Sequence, residues 1–257
     1  LPGRRARGRP SPRRPERQAR LERAATVPSE GAGARDAAVA ADPEREEVHR
    51  GGMVACAHAA AAAGKRGPRM EKTALLVIDA QQEYFAPIGK VVLPDGPPAV
   101  ARIADLLAWA RAGGMPVVHI VHESRRPNPT TFAPGSPALE IHPAAHPAAG
   151  EPVLTKHLPG SFTNTGLEEH LRRHGIEQVI VSGFMTQMCC DTTAREAAHR
   201  GFKVLMAADA MAAMAVKGPD GQVIPAAEVH RTHLGSLNGF LATVTTSGAL
   251  TGAPSRS

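Results

Sequence analysis

"EQVIVSGFMTQMCCDTTAREAAHRGFKVLMAAD" (Glu177–Asp209) holds a strand, a tight exit, a helix and a second strand in one stretch. "EQVIVS" is a short apolar run that ends at Ser182-Gly183. "CDTTAREAAHRG" reads as a helix stopped by Gly201. "FKVLMAAD" is the next apolar run, of strand length. A strand, a crossover helix and a second strand make a right-handed unit with the two strands parallel.

The same alternation extends in both directions. "ALLVID" (Ala74–Asp79) is continuously apolar, as expected of a strand covered on both faces. "PPAVARIADLLAWARAGG" carries Val100, Ile103, Leu106, Leu107 and Ala110 at helical spacing and stops at Gly113-Gly114. "PVVHIVH" is a strand. "NTGLEEHLRRHG" offers Thr165 as N-cap, Glu168 three residues on, and Gly175 as stop. "AAEVHRTHLGSLNGF" is a helix and "ATVTT" a last strand. The expected fold is α/β, three layers, with a mostly parallel sheet of about six strands. No internal repeat is visible.

Composition divides the chain differently. Of its 257 residues, 42% are apolar and the formal charge is +6. Residues 1–69 hold 15 Lys and Arg against 8 Asp and Glu, whereas residues 70–257 hold 15 against 16. The basic excess therefore lies in the first segment, and the body offers no electrostatic case for nucleic acid. Every Phe, Tyr and Trp also lies beyond residue 69. Residues 1–69, rich in Arg, Ala, Gly and Pro, are expected to be disordered. "ACAHAAAAAG" (Ala55–Gly64) has helical propensity but is brief, and a signal peptide over Met53–Gly64 lacks a basic start and a cleavage site. "MEKTALLVID" reads as a natural start at Met70. The expected organisation is thus a tail over 1–69, a domain over 70–250 and a flexible end over 251–257. Three cysteines, two adjacent, make no disulfide framework and favour a reducing compartment, hence the cytoplasm. Cys56 is expected to be inert. No apolar run spans a bilayer.

In parallel sheets reactive groups gather at the carboxyl ends of strands. Asp79 ends the first strand. A carboxylate after four apolar residues is desolvated and suited to proton transfer, though a turn or cap Asp is common there. Lys156, in "EPVLTKHLPGSF", is either a solvated loop residue or a cation that lowers a neighbour's pKa. Cys189 and Cys190 follow the Gly183 exit at a helix start, where the positive helix end favours thiolate; burial as inert thiols is the other reading.

Together these pieces resemble the isochorismatase-like cysteine hydrolases, a superfamily that includes nicotinamidases and N-carbamoylsarcosine amidohydrolase relatives. "VIDAQQEYF" matches its D-x-Q element. "TKHLPGSFTNTGLEEHL" matches K-x-x-x-S-x-F-x-x-T-x-L, and "VSGFMTQMCCDTTAREAAHRGFKV" matches G-x-x-T-x-x-C-x-x-x-T-A-R-x-A-x-x-x-G. The likeness covers roughly Thr73 to Thr246. Its register selects Cys189, three after Thr186 and four before Thr193, and leaves Cys190 in a place where a small apolar residue is common.

The resemblance implies a triad of Asp79, Lys156 and Cys189 that cleaves a small amide, carbamoyl or lactam through a thioester. It also implies a non-proline cis bond at Phe184–Met185 and an oxyanion hole of the Met185 and Cys189 N–H groups. Gln81, Tyr84, Phe85, His122, Phe162 and Phe184 become candidate substrate contacts, with Gln81 anchoring the loop after Asp79. Phe132, in the long Pro-rich loop after the second strand, is a further lining candidate. Nicotinamidases carry an Asp-x-His and a further His as metal ligands after the first strand. "EYFAPIGKVVLPDG" has no His, so no metal and no cofactor are expected. His119 and His122, three apart on a strand, face opposite ways, which disfavours a shared metal. Arg125 and Arg126 read as solvated loop residues or anion contacts. The implied partners are a small-molecule substrate and further copies of the chain, as a homodimer or homotetramer, with no nucleic acid and no membrane. The competing readings are a vinyl-ether hydrolase of the same fold, which lacks the nucleophilic Cys, and a non-catalytic interaction protein.

Overall fold

A computed structural model of the chain describes residues 70–252; the readings for 1–69, Cys56 included, and for 253–257 lie outside the described residues. Six strands form one parallel sheet: β1 Thr73–Ile78, β2 Val117–His122, β3 Val153–Lys156, β4 Gln178–Phe184, β5 Lys203–Ala212 and β8 Thr243–Thr245. Their order is β3-β2-β1-β4-β5-β8. β6 Val216–Lys217 and β7 Val223–Ile224 form a separate small hairpin. The helices are α1 Gly96–Ala112, α2 Leu167–Arg173, α3 Asp191–His199, α4 Ala226–Leu237 and α5 Ser247–Thr251.

β1 shows why its sequence is apolar without interruption. Ala74, Leu76 and Ile78 join one core with α2, α3 and α4, through Leu167, Leu171, Ala194, Ala197, Leu234 and Leu237. Leu75 and Val77 join the opposite core with α1, through Val100, Ile103, Leu106 and Leu107. Side chains alternate across a strand, so a strand packed on both faces needs apolar residues at every position.

The differences from the sequence reading are local. α2 is not capped by a Thr165–Glu168 box. Gly166 precedes the helix in a left-handed conformation, φ 76°, and the Thr165 hydroxyl accepts from Leu167 N two residues on, as hydroxyl turns do. Glu168 turns instead to Arg172 and Arg200. The chain end reads differently too: Thr251, assigned to the flexible end, closes α5, whose N-cap Thr246 accepts from Ala249 N at 3.2 Å.

One contact sets the exit from β4. Ile78 and Gly183 are register partners, and a Cβ on Gly183 would fall 1.9 Å from the Ile78 carbonyl oxygen. Gly183 also has φ 117°, which disfavours any side chain. This close approach sets the end of β1 beside the loop that leaves β4. Gly183→Ala is therefore expected to destabilise the fold by at least about 3 kcal/mol, a backbone clash added to a forbidden dihedral. Urea unfolding measures it.

Candidate active site

Three strand ends converge. Asp79 follows β1, Lys156 ends β3, and Cys189 lies beyond β4 in a five-residue π turn, Thr186–Cys190, that runs into α3. Asp79 has φ 50°, an uncommon value for a non-glycine residue, and its N–H donates to Ile120 O at 2.8 Å. The Phe184–Met185 bond is cis, and Met185 is the N-cap of the π turn. The sequence reading begins the helix at the cysteines. The structure begins the turn at Thr186, so Cys189 stands within the first turn of the combined helix.

Lys156 Nζ is 2.8 Å from Asp79 Oδ2 and 3.1 Å from Cys189 Sγ. Asp79 is 0% exposed and Lys156 1%, while Cys189 keeps 8%. Cys189 is the other neighbour that acts on the Asp79 carboxyl. Neither neighbour meets the carboxylate along an aligned direction, so both buried Asp79 oxygens lack a well-directed hydrogen bond among the described residues. A carboxylate left short of donors is the stronger base.

The charges follow from this packing. Burial pushes the Asp79 carboxyl up, against the pull of the Lys156 ammonium. Burial also works against the Lys156 ammonium, but Asp79 and the Cys189 sulfur outweigh it and the amine titrates above its ordinary value. Burial, then Asp79, pushes the Cys189 thiol up, with Lys156 opposing. Burial and Asp79 thus oppose the thiolate that the helix end and Lys156 favour. Loss of the thiol proton to solvent would leave a buried net negative charge. Its transfer to Asp79 leaves the cluster neutral, which is the cheaper route.

Cys190 is fully buried, and burial raises its thiol well above the ordinary value. It is packing. The other candidates separate cleanly. Gln81 spends its amide on backbone: Nε2 donates to His122 O at 3.0 Å and Leu139 O at 2.9 Å, and Oε1 accepts from His122 N at 2.8 Å. It anchors the loop after Asp79, as expected, and has no free group for a substrate. Tyr84, Phe85 and Phe184 interlock as buried rings, with centroids 5.5 Å apart for Tyr84–Phe184 and 5.7 Å for Phe85–Phe184. Phe162 packs on Phe202, 5.8 Å away, beneath the Arg200 guanidinium. All four rings are buried. Phe132 meets the edge of His122. His122 stays half-buried, with Nδ1 3.4 Å from Lys156 Nζ. His119 lies on the opposite face, buried, with Nε2 2.9 Å from Glu151 Oε2. Arg125 and Arg126 are exposed. Among the described residues no group of three or more His, Cys, Asp or Glu side chains is arranged to hold a metal ion.

Four supporting residues escape the sequence reading. Buried Glu83 accepts from Lys90 N at 3.1 Å and Phe132 N at 3.0 Å, tying two loops to the turn after β1. Thr193 and Ser161 pair their hydroxyls at 2.7 Å, and Thr193 Oγ1 accepts from Ser161 N at 3.1 Å. Glu196 accepts from Phe162 N at 3.0 Å and Thr163 Oγ1 at 2.6 Å. These bonds fasten the Lys156 loop to α3. Ser161 and Thr193 stand inside the quoted motifs, and Glu196 follows Arg195 directly, so their spacing was visible although their pairing was not.

The Isochorismatase domain family matches residues 73–249.

The chain belongs to the isochorismatase family.

The uncharacterized isochorismatase family protein YddQ of Bacillus subtilis (strain 168) is 38% identical over 177 residues, covering 69% of this chain and 97% of the relative. A streptothricin hydrolase of Streptomyces noursei is 34% identical over 182 residues, covering 70% and 69%. A crystal structure of a cysteine hydrolase from Pseudomonas syringae pv. phaseolicola 1448A superposes with a TM-score of 0.67 at 28% identity, covering 73% of this chain and 94% of that one. A maleamate amidohydrolase is a further relative. This isochorismatase-family hydrolase thus has relatives named for amide cleavage. Among its described residues no helix is long and apolar enough to cross a membrane.

The buried pair gives a stability prediction. Lys156→Met strands the Asp79 carboxylate and is expected to cost about 3–5 kcal/mol. Adding Asp79→Asn removes the stranded charge and is expected to return part of that loss. Urea unfolding of the two variants and the wild type checks the order.

Proposed function

We propose that the protein is a cysteine hydrolase that cleaves a carbon–nitrogen bond, in an amide, carbamoyl or lactam group of a small molecule, with Asp79, Lys156 and Cys189 as its triad. The observation that carries this reading is the Lys156 ammonium, 2.8 Å from a buried carboxylate and 3.1 Å from the sulfur of Cys189, the least buried residue of the three at 8%. The relatives named for streptothricin hydrolysis and maleamate amide hydrolysis support the bond class.

Asp79 takes the Cys189 proton, and the thiolate attacks the carbonyl carbon. The oxyanion is received by the Met185 and Cys189 N–H groups. The Met185 N–H has no backbone partner among the described residues, which leaves it free for this task. As the tetrahedral centre collapses, the C–N bond breaks and Asp79 returns the proton to the leaving nitrogen. Water then attacks the thioester and gives its proton to Asp79. The acid departs, and the proton returns to sulfur. Lys156 keeps the cluster neutral as the proton moves between Asp79 and Cys189. His122 is the candidate contact that a bound substrate could reach.

No metal or cofactor takes part in this reading. The free, buried state of both described cysteines suits a reducing compartment such as the cytoplasm. Assembly as a homodimer or homotetramer is part of the same reading, and light scattering tests it.

A panel of small amides, carbamoyl compounds and lactams tests the chemistry through release of ammonia or amine. Wild type is expected to turn over at least one. Cys189→Ala, Asp79→Asn and Lys156→Met are each expected to lose about 10³-fold or more, since the three act as a unit. Cys190→Val, a near volume-conserving change, is expected to retain activity. Hydrolysis of an added vinyl ether, with no turnover of the panel, that survives Cys189→Ser but not Asp79→Asn would identify the vinyl-ether reading instead.

A further inference from the structure

An ammonium has three N–H donors and no acceptor. In this site each has a neighbour. Lys156 Nζ lies 2.8 Å from Asp79 Oδ2, 3.1 Å from Cys189 Sγ and 3.4 Å from His122 Nδ1. The first two neighbours are the reacting groups. The third is an imidazole on the adjacent strand, paired in register with Lys156 itself. We propose that His122 is a positioning residue: its bare Nδ1 takes one Lys156 N–H and so holds the ammonium between Asp79 and Cys189, while Gln81 grips the His122 backbone to hold it there. The proposal rests on the reading of Cys189 as the nucleophile.

Lys156 needs such a director. Its four-carbon stem is flexible, and its charge is a point with three rotatable donors rather than a rigid fork. Rotation about the Cε–Nζ bond sets all three N–H directions together, so an acceptor on one of them bears on where the ammonium faces. At 3.4 Å the contact is at the long end of hydrogen bonding, so its contribution is direction more than strength.

The imidazole is itself held. Gln81 Oε1 accepts from His122 N at 2.8 Å, and Gln81 Nε2 donates to His122 O at 3.0 Å, so both backbone groups of His122 are gripped by one amide. The last Gln81 donor is spent on Leu139 O. Phe132 meets the imidazole edge to face, with centroids 5.0 Å apart and planes at 86°. A donor-only partner requires Nδ1 to be bare, which places the ring proton on Nε2. The ring must also be neutral. Burial, then the neighbouring charges of Lys156, His157 and Arg126, lower its pKa to about 4. A proton shuttle working near neutrality would need a higher value and a free Nδ1, so the geometry assigns orientation and not proton transfer.

The test needs no substrate. Alkylation of Cys189 by iodoacetamide, followed by mass spectrometry across pH, reads the reactivity of the sulfur that Lys156 faces. His122→Leu removes the acceptor. His122→Asn places an amide oxygen close to where Nδ1 was. Expected is a slowing of about tenfold or more in His122→Leu, the scale of one hydrogen bond to a charged group. Its pH profile moves toward higher pH, and both effects are largely reversed in His122→Asn. Alkylation of His122→Leu at the wild-type rate and pH profile would overturn the proposal. So would a His122→Asn variant no better than His122→Leu. Should His122→Leu not fold, the ¹⁵N spectrum of the wild-type imidazole decides: a bare Nδ1 with a protonated Nε2 at neutral pH supports the assignment, and the other tautomer or an imidazolium rejects it. Absence of amide turnover in the wild type would count against the hydrolase reading, and the alkylation comparison would stand apart from that result.

Discussion

The site depends on a charge pair that water does not reach. Asp79 and Lys156 are both buried, and desolvation of two ions costs several kcal/mol each before their attraction offsets it. Such a pair is a poor route to stability. Its use here is chemical. The carboxylate sits without an aligned donor, and burial raises its affinity for a proton. The ammonium keeps the cluster neutral wherever that proton rests. In the proposed reading, a thiol whose deprotonation burial opposes has a nearby, charge-conserving destination for its proton.

The fold spends many interactions on holding this pair. The three groups come from three strand ends, so their mutual positions depend on the strand order rather than on any local segment. β1 lies between β2 and β4, and β3 lies beyond β2. Gly183 lets β4 close on β1 at Ile78. The hydroxyls of Ser161 and Thr193 and the Glu196 carboxylate tie the Lys156 loop to α3, the helix that continues from Cys189. A Cβ on Gly160 would fall 2.3 Å from Glu196 Oε2, so that loop lies directly on the carboxylate. Thr186 is held from the far side by His230, at 2.8 Å. A sulfur–ammonium contact of 3.1 Å between separate elements needs this kind of support, because misplacement of about 1 Å can cost on the order of 10²-fold in rate.

The adjacent cysteines show how a small difference in position separates two roles. Both are buried free thiols. Cys189 faces Lys156 and keeps some exposure; Cys190 keeps none. Consecutive residues of a helical turn point about 100° apart, so one faces Lys156 while the other is wholly buried. Glu83 makes a similar contrast with Asp79. It is as buried, but two backbone N–H groups satisfy it, so it serves as a tie between loops.

The sequence by itself determined the sheet. β1, β2, β4 and β5 are legible because a strand packed on both faces must be apolar throughout, and α1 because its apolar stripe repeats at helical spacing and ends at paired glycines. β3 was hidden: in Val153–Lys156 three of four residues are not buried, so an edge strand left no apolar run to read. The order of Asp79, Lys156 and Cys189 along the chain was legible through the family motifs that hold them, and for Asp79 and Cys189 also through the strands they follow. What only the tertiary structure decided is which side chains face the rim and with what partners. It packed Tyr84, Phe85 and Phe184 together and Phe162 on Phe202, spent the Gln81 amide on backbone, and set His122 against Lys156. Those outcomes depend on contacts between residues far apart in the chain, from 34 positions for His122–Lys156 to 100 for Tyr84–Phe184, and chain periodicity carries no information about a neighbour that arrives from another element.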